Sequence, residues 1–168
     1  MPGVDRDGLC RSSCITHAWV GELDRRLGWN DEPRSYRLLK AVLYAVCEGW
    51  PAGAAIDPPG LLPLQLCGTR YEHWRMSVTP TCDRSSRHFV TRVALWFKPD
   101  PLDNAPASIL SVLDHLSEKL SLAEAAEIRS ALPEEFQRAW AGGAMCGRQI
   151  DLGPGERGQL RATTLCCD

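Results

Sequence analysis

Apolar residues return every third or fourth position along most of this chain, the spacing that lays one face of an α-helix against a core. Ile15, Trp19, Val20, Leu23 and Leu27 form the first such stripe. Ser12 and Ser13 stand where a hydroxyl accepts from the free N–H groups of a first helical turn, and Gly28 stands where such a helix stops. Asp31-Glu32-Pro33 opens a second helix, because proline sacrifices no hydrogen bond in the first turn. Tyr36, Leu39, Leu43, Val46 and Trp50 share its inner face, and Gly49 with Pro51 closes it. The pattern then recurs. Phe89, Val93 and Phe97 form one stripe, and Pro106 opens a helix carrying Ile109, Leu113, Leu116 and Leu120. Ser121 and Glu124 have capping-box spacing and launch a short helix over 122–131, which Pro133 interrupts.

The recurrence has a fixed offset of 70 residues. At that offset Val20 falls on Val90, Val42-Leu43 on Val112-Leu113, Glu48 on Glu118, Ala55 on Ala125 and Leu62-Pro63 on Leu132-Pro133, without a gap. Apolar character is shared between Trp19 and Phe89, Leu23 and Val93, Leu27 and Phe97, Leu39 and Ile109, Val46 and Leu116, and Leu66 and Phe136. The expected fold is all-α, a tandem duplication of one helical unit packed as a single bundle-like domain. The copies span roughly 12–74 and 83–140, within a helical domain of 1–141. They differ where Pro58-Pro59-Gly60 replaces the second copy's helix with a turn. Each amphipathic unit leaves apolar faces that the other covers, so one continuous core is expected, with Trp19 and Leu43 inside it. Residues 142–168 are too rich in glycine for regular structure and form an irregular tail that adds little to stability.

These residues resemble an uncharacterised prokaryotic family, domain of unknown function 2267 (DUF2267). Its members carry a "GW/GL-D…R-A-Y-R-x-L-R-A-V-L-H-A-L" segment, then "L-P-x-L-L-R-G-L-Y-Y-x-G-W", then a shorter copy ending in "L-P-x-E-L-x-x-L-W". This chain reads LGWNDEPRSYRLLKAVLYAV at 27–46, LPLQLCGTRYEHW at 62–74 and LPEEFQRAW at 132–140, so the resemblance covers roughly 15–140. Three positions depart from the pattern. Cys67 replaces the arginine before the glycine, Arg70 replaces the first paired tyrosine, and His73 replaces the glycine before Trp74. The resemblance implies an all-helical duplicated fold and supplies no mechanism.

Composition narrows the function classes. At 168 residues the chain buries roughly 70% of its unfolded surface as one domain, with no need of a metal or disulfide staple. Nineteen basic against twenty-one acidic side chains leave a net charge of −2 with no basic stripe, so no nucleic-acid partner is expected. The longest apolar run, Ala41 to Cys47, is far too short to cross a membrane, and the charged start MPGVDRDGLCRSSC is unlike a secretory leader. A cytoplasmic location is expected.

No nucleotide-binding, nucleophile-elbow or zinc-protease motif occurs. Glu72 and His73 are adjacent but point about 100° apart on a helix, so they are expected to meet water while Tyr71 and Trp74 pack. His88 and His115 lie off the apolar stripes and are expected at the surface, whereas Cys47 and Cys67 are expected in the core. Cys10, Cys14 and His17 fall on one face if the first helix reaches back to Cys10, and Cys166 or Cys167 offers a fourth thiolate for tetrahedral zinc. Three functions follow in order: a non-catalytic interaction or accessory module with a protein partner, a metal- or redox-responsive protein using those thiols, and an enzyme with a pocket between the copies. No catalytic residue or cofactor is assigned, and zinc is the one metal the thiols suit.

Overall fold

A computed structural model describes residues 6–49 and 85–141 of the chain, with side chains over 13–48 and 85–140. The expectations for the Leu62-Pro63 signature, the Pro58-Pro59-Gly60 turn, Glu72 and His73, Cys67, the linker and the glycine-rich tail lie outside the described residues. Six α-helices and one 3-10 turn make up the described residues, among which there is no strand.

Helix α1 spans Arg6–Leu27. It starts earlier than the serines predict. Ser12 and Ser13 lie inside it, where a serine hydroxyl is tolerated without ending the helix. Gly28 ends it as expected, in the left-handed conformation (φ 67°) that a side chain would strain, and its N–H donates to the Asp24 carbonyl at 2.8 Å. Helix α2 covers Glu32–Gly49, and Asp31 caps it by accepting the Arg34 N–H at 3.0 Å. Helix α3, Ser86–Ala94, is capped by Ser85, which accepts from the His88 N–H. The chain then tightens into a 3-10 turn, Leu95–Phe97, that still delivers Phe97 to the core. Helix α4, Ala105–Lys119, is capped by Asn104 and has Pro106 in its first turn. Helix α5, Leu122–Ala131, carries the full Ser121–Glu124 capping box, and α6 covers Glu134–Ala141.

Helices α2 and α4 pack against each other at the centre. Around them, α1 packs on both, α3 packs on both, α5 leans on both, and α6 closes over α3 and α4. One apolar cluster runs through all six helices and the 3-10 turn. Leu38, Leu39, Val42 and Val46 from α2 meet Ile109, Val112, Leu113 and Leu116 from α4 in it, all 0–1% exposed. Phe136 of α6 reaches Phe89 of α3 with ring centroids 5.2 Å apart. Leu43 is buried as expected, but Trp19 is half-buried at the margin and Cys47 is half-buried. Among the described residues no helix is long and apolar enough to cross a membrane.

His115 departs most from expectation. It is 1% exposed, among the most buried side chains described. A single apolar stripe would give α4 one inner face, yet α4 is enclosed by five other helices and buries Ile109, Leu110, Val112, Leu113, His115 and Leu116. A helix walled on several sides buries positions that a single stripe assigns to water.

Candidate functional site

The junction of α1 and α4 gathers the most unusual chemistry in the described residues. Helix α4 holds His115 beneath α1, where the imidazole stands perpendicular to the Trp19 indole (interplanar angle 89°, centroids 6.2 Å apart). His115 Nε2 is buried and has no hydrogen-bond partner among the described residues. Burial, followed by the nearby Lys119 and Arg26 cations, pushes the imidazole pKa below its ordinary 6.5, against the smaller opposing pull of Glu22 and Glu118. Those four charges are paired across the junction. Lys119 of α4 bridges to Glu22 of α1, and Arg26 of α1 donates to Glu118 of α4 at 2.5 Å. The Lys119 ammonium holds the Glu22 carboxyl below the usual carboxylate range.

A second polar contact ties α1 to α2. Asp24, 7% exposed, accepts from the Ser35 hydroxyl at 2.6 Å and from the Asp31 N–H at 3.0 Å. Its carboxylate thereby takes up one of the free N–H groups where α2 begins. A third contact joins α3 to α6, where the buried Ser86 hydroxyl donates to Glu135 and lowers that carboxyl's pKa. Arg34 of α2 stacks on Trp29 (4.9 Å to the ring centroid), bridges to Asp100 and donates to the Pro101 carbonyl at 3.2 Å, which fixes the segment after the 3-10 turn.

Three of the residues predicted for zinc stand on α1. Because α1 runs unbroken from Arg6, Cys10, Cys14 and His17 are on one helix, within about 60° of each other around its axis. Cys14 and His17 are exposed. The side chain of Cys10, and both Cys166 and Cys167, lie outside the described residues. Among the described residues no three His, Cys, Asp or Glu side chains converge as metal ligands.

Pattern reading missed both His115 and the Asp24–Ser35 contact. A signal for the first existed: at the 70-residue offset His115 falls on Ala45, an apolar position that is also buried.

Residues 16–139 match the family described as uncharacterized conserved protein (DUF2267), and the chain belongs to that family. The matched stretch begins in α1 and ends in α6, so it takes in the α1–α4 junction and the whole apolar cluster. No curated protein matches this sequence.

Proposed function

We propose that the chain is a non-catalytic helical interaction module built by duplication of one helical unit. The observation that carries this reading is how its buried polar side chains are used. Asp24 with Ser35 joins α1 to α2, Ser86 with Glu135 joins α3 to α6, and His115 packs under Trp19 between α4 and α1. Each engages a different pair of elements, whereas acid–base or nucleophilic chemistry needs such groups to converge on one reacting atom. The duplication is supported by matching ends. Leu27 and Phe97 close the first helical segment of each half and stand 70 positions apart.

Native mass spectrometry of the full chain purified from cells without chelator tests this reading. A stoichiometric complex with a second polypeptide, free of bound small molecule, is the expected result. A stoichiometric small molecule retained by the chain would instead favour an enzyme with a pocket between the halves.

The unbroken course of α1 through Cys10 favours one further reading, in which Cys10, Cys14 and His17, with Cys166 or Cys167, hold a zinc ion. Thiolate and imidazole suit that ion, and about one zinc per chain is expected in the same spectrum. Its loss in the Cys10→Ser, Cys14→Ser double variant supports the site, and metal-free wild-type protein contradicts it.

A further inference from the structure

We propose that His115 is an acid-sensitive latch between α1 and α4, so that protonation of its imidazole releases α1 from the helical body.

Three observations combine. His115 is 1% exposed, its Nε2 lacks a partner among the described residues, and the Trp19 ring closes over it from α1. A neutral imidazole tolerates that environment. An imidazolium carries an N–H on both nitrogens, leaving Nε2 with a charged donor and no acceptor.

The surrounding charges cannot absorb the extra proton. Those acting on His115 are Lys119 and Glu118 on its own helix and Arg26 and Glu22 on α1. They already form two pairs, so a protonated His115 converts a balanced set of two cations and two anions into three cations and two anions. The other helices against α4 offer no relief: the buried side chains of α2, α3, α5 and α6 are apolar except Ser35 and Ser86, which do not titrate.

The fold determines which element gives way. Among the described residues α4 is enclosed by five helices, whereas α1 makes its main contacts with two, α2 and α4. Undocking α1 returns His115 to water and uncovers Val20 and Leu23, which are buried in the closed state. Linkage supplies the direction. The docked imidazole has a pKa below 6.5 and the undocked one titrates near 6.5, so the open state binds more protons in between. Docking is therefore at full strength above pH 6.5, weakens as pH falls through that value, and stops weakening only below the docked pKa.

Hydrogen exchange on the full chain, read by mass spectrometry at about pH 7.5 and about pH 5.5 and corrected for intrinsic rates, tests the latch. Peptides from α1 should lose protection relative to peptides from α6 on acidification, by up to about tenfold, and His115→Leu should abolish that difference. Unchanged relative protection of α1, or the same loss in His115→Leu, overturns the proposal. If His115→Leu does not fold, the wild-type imidazole resonance decides by NMR. Titration below pH 6.5 in step with α1 opening supports the latch, and titration at or above 6.5 with α1 still protected contradicts it.

Discussion

Glu48 of α2 and Glu118 of α4 each accept a guanidinium from a neighbouring helix. Glu48 takes Arg92 of α3 through both carboxylate oxygens, and Glu118 takes Arg26 of α1. The two pairs differ in exposure. Glu48 is 17% exposed and also bonds to Tyr44, whereas Glu118 is 56% exposed. The first pair is therefore screened less by solvent.

Double-mutant cycles should separate them. Coupling between Arg92 and Glu48, measured with Ala at each position in urea melts, is expected near 1 kcal/mol in favour of the pair. The more exposed Arg26–Glu118 pair should show about 0.3 kcal/mol, and 0.5 M salt should weaken it further. Equal couplings would mean that exposure does not control these bridges.

Leu43 and Leu113 occupy matching places on α2 and α4, at 8% and 0% exposure. Truncation of either to Ala should cost about 2–5 kcal/mol, with Leu113 at the upper end because its cavity is closed on all sides. A denaturant melt shifted by less than about 0.5 kcal/mol at Leu113 would contradict the enclosed position of α4.

Asp24→Ala removes the acceptor that serves the Ser35 hydroxyl and the Asp31 N–H. It should destabilise the protein by about 2 kcal/mol, since the buried Ser35 hydroxyl loses its charged acceptor. Asp24→Asn keeps one acceptor oxygen and should cost less. The order of the two variants in thermal melts checks the assignment.

Ser121→Ala breaks the capping box at α5, where Ser121 receives the Glu124 N–H and Glu124 reaches back to the Ser121 N–H at 2.6 Å. The expected cost is about 1 kcal/mol. It should show first as faster amide exchange in the opening turn of α5, because Leu122 there is 92% exposed and only Ile128 and Ala131 anchor the helix.

Local chemistry made most of the helices legible. Gly28, Pro106 and the Ser121–Glu124 pair act within one turn of themselves, so their meaning survives folding unchanged. Ser12 and Ser13 misled because a serine that caps a helix and one inside a helix read alike without a following stop signal. The 3-10 geometry of Leu95–Phe97 left no trace, since Phe97 stays on the inner face in either helix type. The α1–α4 junction was hidden for a different reason. Whether His115 meets water depends on how many helices surround α4, a property of the assembled bundle. Asp24 and Ser35 are eleven residues apart on separate helices, and only the crossing of α1 and α2 brings them to 2.6 Å.

The central claim is that the two halves share one core around α2 and α4, which native-state hydrogen exchange at neutral pH in increasing denaturant tests most directly. The slowest amides of α2 and α4 should converge on a single opening free energy, because Leu39, Val42, Ile109 and Leu113 belong to one cluster. Loss of protection in α2 at a lower denaturant concentration, with α3 to α6 still closed, would contradict that claim.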